Sequence, residues 1–220
     1  MDFDLEQTDH LLTTTRAVRK RLDLTRPVPR ELLLDCVRIS TQGPAGGNHQ
    51  RWRWVMVDDA DRKAVIADAY RRSYAPYIAA QQEAVAKAGN AAAKNAIIDS
   101  SMHLADVLAE VPVLAIPCAL GAPPRDTGHG EAQGWWGSLI PTVWSYCLAA
   151  RSRGLGTAWT TLHLGYGDEV ADALGIPDTV TQLACIPTAF YTGDDFKPAS
   201  RRPAEEITYW NTWKDTAIDG

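Results

Sequence analysis

The chain has 220 residues, of which 45% are hydrophobic and 22% charged, enough for one sizeable core. Its 22 Lys and Arg against 27 Asp and Glu leave a net charge of -5, which argues against nucleic acid or an anionic membrane surface as the main partner, since both call for a broad basic field. The four cysteines, Cys36, Cys118, Cys147 and Cys185, form no C-x-x-C pair and sit in mostly apolar runs, so they read as buried free thiols rather than a disulfide framework or a zinc site.

The N-terminus is acidic and carries no apolar signal-peptide core. The most apolar segment, 135–150, is interrupted by Gly137 and Pro141 and falls short of the roughly 20 residues that span a bilayer. The expectation is a cytoplasmic protein in a reducing compartment.

In chain order, a short helix is expected over 6–15, then a basic stretch from Arg16 to Arg21. A second helix follows Pro29, with an apolar face of Leu32, Leu33, Cys36 and Val37, and ends at Gly43-Pro44. Trp52 to Val57 alternates as a strand. Asp58-Asp59-Ala60-Asp61 caps an Ala-rich helical region reaching 110, which Pro76 and Gly89-Asn90 should divide into two or three helices. The apolar run 111–120 is a strand in a sheet covered on both faces, and 121–134, rich in Gly and Pro, is a loop.

Residues 135–153 are apolar nearly all round and are expected as one buried central helix closed by Gly154. A short extended segment over 155–162, a helix over 168–174 and a buried strand over 179–191 come next. The tail from Thr192 carries Tyr209, Trp210 and Trp213 and needs a surface to cover, which another subunit can provide. With no repeat and no low-complexity linker, residues 1–220 read as a single domain.

Two features carry chemistry. The run Gly43-Pro44-Ala45-Gly46-Gly47-Asn48-His49-Gln50-Arg51-Trp52 brings flexible backbone and planar side-chain amides together, as an ordinary connecting loop does, but also as a loop that meets the polar edge of a planar heterocycle would. Arg16 and Arg19, and far downstream Arg201 and Arg202, are guanidinium pairs. On composition alone they read as solvated surface charge; converging, they would grip a phosphate by charge-assisted hydrogen bonds.

Arg16-Ala17-Val18-Arg19, then Pro44 to Trp52, then Gly154-Leu155-Gly156-Thr157, then Arg201-Arg202-Pro203-Ala204-Glu205-Glu206 resemble, in order and spacing, the successive motifs of the FMN-dependent nitroreductase family. The resemblance runs from about residue 8 to residue 213. It implies an α+β fold, a central mixed sheet flanked by helices, in an intertwined homodimer whose C-terminal segment reaches over the partner and whose FMN lies at the subunit interface. It assigns the FMN phosphate to Arg16 and Arg19, with the Ala17 backbone alongside and Arg201 closing the site from the tail, Arg202 being the fallback. Pro44, Ala45, Gly46 and Asn48 would reach the flavin from the other subunit, with Gln50 supporting their loop. Thr160, Thr161 and Leu162 would lie against the isoalloxazine, one backbone N–H near N5.

The implied activity is an oxidoreductase that takes hydride from NAD(P)H and passes it to an electron-poor small molecule, a nitroaromatic or quinone, in ping-pong fashion. Other chemistries on this fold are a specialised flavin-dependent dehydrogenase and a reductive dehalogenase. A non-enzymatic flavin carrier or a degenerate dimeric scaffold would also fit. The chain departs from the family pattern at Ala17 and Ala45, where Ser is usual, at Arg51, where Pro is common, and at Arg21, where an aromatic is frequent. No metal site and no catalytic acid or base is expected. Among the histidines only His163 adjoins the flavin-proximal stretch, and it reads as a structural hydrogen-bonding residue. Tyr70, Tyr74, Tyr77, Trp135 and Trp136 read as core or interface residues that are also able to stack on an aromatic substrate.

Overall fold

The structure is a computed structural model that describes residues 3–87, 91–125 and 129–216, with the side chains of 84–94 and 129 outside the description. The expected interruption at Gly89-Asn90 therefore lies outside the described residues. By its internal packing the chain falls into two compact units: Thr15–Asp194, and the two terminal segments that flank it.

In the terminal unit, helix α1 (Leu5–Thr14) starts with Asp4 accepting from the Gln7 N–H at 3.0 Å, and His10 pairs with Asp195. The tail makes a short 3₁₀ turn at Ala204–Glu206, and Tyr209 meets Trp213 edge-on at 4.8 Å between centroids. Trp210 and Trp213 are exposed.

The main unit is built on strands β1 (Trp52–Val57), β2 (Val113–Leu120), β3 (Leu155–Thr157), β4 (Val180–Gln182) and β5 (Ile186–Phe190). Their order is β1-β2-β5-β3, with β4 also on β2, and every ladder is antiparallel. Parallel pairing enters through single bridges, Ala17 to Thr157 and Gly121 to Val180. β2 is buried from Val113 to Ala119, as its unbroken apolar run requires. The strand expected over 179–191 is two strands: both lie on the same side of β2, and Leu183 to Cys185 bend between them while the Leu183 N–H still donates to Pro117 O at 2.8 Å.

Helices α2 (Arg30–Ser40), α3 (Ala60–Lys87), α4 (Ala91–Val107), α5 (His129–Gly137), α6 (Ile140–Arg151) and α7 (Gly167–Leu174) surround the sheet. Asp59 caps α3, accepting from the Arg62 N–H at 3.0 Å, and Gly175 closes α7 in the left-handed region at φ 66°. Several expectations are corrected. The loop expected over 121–134 ends early, because α5 begins at His129. α3 runs straight through Pro76; the lost N–H is outweighed by the burial of Tyr70 and Tyr74 on the same helix. The helix expected over 135–153 breaks at Ser138-Leu139, where Leu139 adopts φ -114° and Pro141 starts the second piece.

That second helix is not buried all round. Ile140 and Trp144 are exposed on one face of α6, Trp136 is exposed on α5, and Leu34 and Ile39 are exposed on α2, which packs beside α6. The core beneath joins Leu33 and Cys36 of α2, Val143, Tyr146 and Cys147 of α6, and Ala115 and Ile186 of the sheet. All four cysteines are free and buried, as expected. Among the described residues no helix is long and apolar enough to cross a membrane.

Candidate functional site

The first arginine pair stands on the β3 edge of the sheet. Ala17 bridges Thr157, and the Val18 N–H donates to Thr157 O at 2.8 Å, so the segment forms one more strand-like row beyond β3. Gly156 makes the close approach possible: a Cβ there would lie 2.9 Å from Val18 Cβ. With Val18 turned into the core, its neighbours Ala17 and Arg16 stay at the surface, and Arg19 is half-buried with Nη1 3.4 Å from Ser100 Oγ. Burial raises the Tyr70 phenol, an effect offset in part by its side-chain interaction with Thr160 and by the Arg19 charge. Arg19, Tyr70 and Thr160 therefore share one neighbourhood.

Thr160 exchanges backbone hydrogen bonds with Cys185 at 3.1 and 2.8 Å, which pins the chain as it leaves the sheet. Thr161 then opens a 3₁₀ turn over Leu162–Tyr166, and its carbonyl accepts from the Leu164 N–H at 3.0 Å. Its own N–H has no acceptor among the described residues, at an exposed position. Leu162 is half-buried, whereas His163 is fully buried and neither ring nitrogen has a partner among the described residues. Desolvation pushes its imidazole down to about 4. His163 is thus a neutral core residue, without the hydrogen bonds expected of it.

The glycine loop lies at the other edge, before β1. Its Gly46 N–H donates to Ser138 Oγ at 2.9 Å, and Ser138 Oγ in turn donates to Gly134 O at 2.8 Å, so the break between α5 and α6 anchors the loop. Gly43 comes so close to α6 that a Cβ would sit 2.9 Å from Thr142 Oγ1. Gly47, Asn48 and Gln50 all have positive φ, at 59°, 52° and 41°, and Gln50 Nε2 donates to Asn48 Oδ1 at 3.0 Å. Left-handed backbone at a non-glycine residue such as Gln50 is uncommon and clusters at functional sites. Pro44, Gly46, Asn48 and Gln50 are exposed, and Ala45 is half-buried.

Beside this loop opens a cavity of about 530 Å³, the size of a small-molecule site. Ala45, Gly46 and Gln50 line it together with residues that sequence reasoning did not assign: Arg51, Glu131 and Trp135. Arg51 has a signal in its departure from the family motif and Trp135 in its aromatic side chain, able to stack on a substrate; Glu131 has none, and the helix break places it.

The candidate residues thus form two groups. Arg16, Ala17, Arg19, Thr160, Thr161 and Leu162 belong to the β3 edge and Pro44 to Gln50 to the β1 edge. The sheet order separates Ala17 from β1 by four strand spacings, ~19 Å at ~4.8 Å each. Arg201 belongs to the terminal unit, where its Nη1 donates to Ser200 O at 2.9 Å. The donor set fits FMN: guanidinium groups for a phosphate, an unspent N–H at Thr161 for a ring nitrogen, and a glycine loop with planar amides for the ring edge. Among the described residues no group of His, Cys, Asp and Glu can hold a metal ion.

The family model for the nitroreductase family matches residues 12–190. The chain belongs to the nitroreductase family. A curated relative, 5,6-dimethylbenzimidazole synthase of Rhodospirillum rubrum, is 31% identical over 142 residues, which cover 62% of this chain and 61% of that protein, less than two thirds of its length. Among solved structures, oxidised iodotyrosine deiodinase bound to FMN and 3-iodo-L-tyrosine superposes with a TM-score of 0.67 at 22% identity, covering 92% of this chain and 98% of that one. A BluB-like flavoprotein from Clostridium difficile 630 gives 0.66 at 19%, covering 96% and 100%. The FMN and NADPH-dependent nitroreductase NfnB from sphigopyxis sp. strain HMH gives 0.65 at 19%, covering 93% and 99%. These likenesses establish the nitroreductase fold for the α+β architecture described above.

Proposed function

We propose that the chain is an FMN-dependent oxidoreductase that works as a homodimer, taking hydride from NAD(P)H and delivering it to an electron-poor small molecule. The observation that carries this reading is the split of the site. The arginines proposed for the phosphate and the loop proposed for the ring sit on opposite edges of one sheet, ~19 Å apart, and two copies can bring one edge of each together. The exposed apolar side chains Trp136 of α5, Ile140 and Trp144 of α6, and Leu34 and Ile39 of α2 supply apolar surface for such a pairing to bury. The exposed Trp210 and Trp213 of the tail are then covered by the partner.

FMN, when bound, supplies the hydride chemistry. Arg16 and Arg19 hold its phosphate, with Arg201 as the tail's contribution, and the Thr161 N–H donates to the ring. Pro44, Ala45, Gly46 and Asn48 of the second copy meet the ring and ribityl chain, and Gln50 keeps Asn48 in place. The neutral, buried His163 takes no part in proton transfer.

The test is an absorbance spectrum of the purified protein, followed by anaerobic addition of NADH and then NADPH. Bleaching of a bound flavin band supports the reading, and protein that takes up no FMN refutes it. A second reading, a specialised flavin-dependent synthase or dehydrogenase, is favoured by the 31% identity to 5,6-dimethylbenzimidazole synthase. It predicts a flavin band that neither nicotinamide bleaches at a useful rate.

A further inference from the structure

We infer that the acceptor of this site carries an anionic group, a carboxylate above all, on a flat ring, and that Arg51 is the residue that selects it. The inference rests on the flavin reading above and names the substrate class of that same site.

Arg51 is fixed by its backbone, since its carbonyl accepts from the Leu120 N–H at 2.8 Å where β1 and β2 begin to pair. Its side chain lines the 530 Å³ cavity, and its guanidinium has no hydrogen-bond or ion-pair partner among the described residues. Gly121 lies against it: a Cβ at that position would stand 3.5 Å from Arg51 Nη1, ordinary van der Waals contact, which places the guanidinium at the end of β2. Ala122, Pro124 and Trp135 give the same cavity apolar and aromatic wall that accepts a flat ring, alongside the polar His49, Gln50 and Ser138.

The physical argument is desolvation. When a flavin and a second subunit close the mouth of this cavity, an unpaired guanidinium loses water, which is costly unless an anion takes its place. A carboxylate matches the planar fork of arginine with two parallel hydrogen bonds. Glu131 also lines the cavity and is exposed, so it opposes an anion and sets an upper bound on affinity rather than supplying a partner.

The experiment titrates FMN-loaded protein with para-nitrobenzoate and with its neutral isostere para-nitrobenzamide, reading the perturbation of the flavin spectrum. The carboxylate is expected to bind at least roughly tenfold tighter, the scale of one charge-assisted hydrogen bond. Arg51→Gln should erase that preference while its FMN affinity, measured by fluorescence quenching, stays at the wild-type value. Glu131→Gln should tighten para-nitrobenzoate alone. Arg51→Gln that still prefers the carboxylate overturns the inference. So does Arg51→Gln whose only change is a lost preference between NADPH and NADH, which would assign the arginine to the donor's phosphate. Wild-type protein that takes up no FMN overturns the flavin reading as well; FMN uptake without discrimination overturns this one alone.

Discussion

Val18 and Gly156 pack so closely that a methyl group added at residue 156 would lie 2.9 Å from both Val18 Cβ and Cγ1. This contact holds the Arg16 to Arg19 segment on the β3 edge, so it links core packing to the proposed phosphate site. Gly156→Ala should therefore act twice. Overpacking should lower stability by about 1–3 kcal/mol, and the displaced segment should weaken FMN uptake. Val18→Ala in the same chain should restore part of both losses. Chemical denaturation and FMN titration check it, and unchanged stability in Gly156→Ala would show that the segment gives way at no cost.

The two alanines at family serine positions test the cofactor from the opposite direction. Ala17 stands beside the Thr157 bridge and Ala45 lines the cavity, so a hydroxyl at either place is near the proposed ligand. Ala17→Ser and Ala45→Ser should each tighten FMN binding by about 0.5–1.5 kcal/mol, one net hydrogen bond. Arg16→Ala should weaken it by about 1.5–3 kcal/mol, as should Arg201→Ala if the tail guanidinium meets the phosphate. Titration calorimetry with FMN reads all four, and a serine variant that binds more weakly would place its side chain away from the cofactor.

The exposed apolar side chains of α5 and α6 make a prediction about assembly. Ile140 and Trp144 stand at the four-residue spacing that aligns side chains on one face of α6, and Trp136 is exposed at the end of α5 before the break. A glutamate at Trp144 would bury a charge in the interface proposed there. Trp144→Glu should yield a monomer by sedimentation, and FMN should be lost together with the dimer because neither edge holds it alone. A dimer that persists in this variant would move the interface elsewhere.

The parts of the fold set by local pattern were readable, and the parts set by tertiary contact were not. The alternation of Trp52 to Val57 and the unbroken run around Ile116 specify strands whatever surrounds them. Asp59 and Gly175 mark helix ends by their own chemistry. Pro76 reads as an interruption because propensity penalises it, yet the packed Tyr70 and Tyr74 keep α3 intact. The break at Ser138 is flanked by Gly137 and Pro141, but the apolar run on both sides hides it, and it decides the site: Ser138 accepts from the Gly46 N–H, and Glu131 and Trp135 line the cavity beside it. Arg21 replaces a frequent aromatic and keeps the same region together differently, with its Nε donating to Thr192 O at 2.6 Å and its guanidinium 5.5 Å from the Tyr191 ring. Such pairings over long sequence separation cannot be read from spacing.

His163 gives a prediction about pH. It is fully buried, neither nitrogen has a partner among the described residues, and desolvation lowers its folded-state pKa from 6.5 to about 4. Between those values the unfolded chain binds a proton that the native state does not, so stability rises with pH across this window and falls on acidification. The stabilising contribution is fully present above pH 6.5 and is lost as pH drops toward 4, on the order of 3 kcal/mol at about 1.4 kcal/mol per unit. His163→Leu removes the titrating group without leaving an orphaned polar atom. The difference in unfolding free energy between wild type and His163→Leu, followed from pH 7 to pH 4, should therefore shift in favour of the variant as acid is added. Parallel stability profiles for the two proteins would mean that the imidazole takes up its proton in the folded state as readily as in the unfolded one.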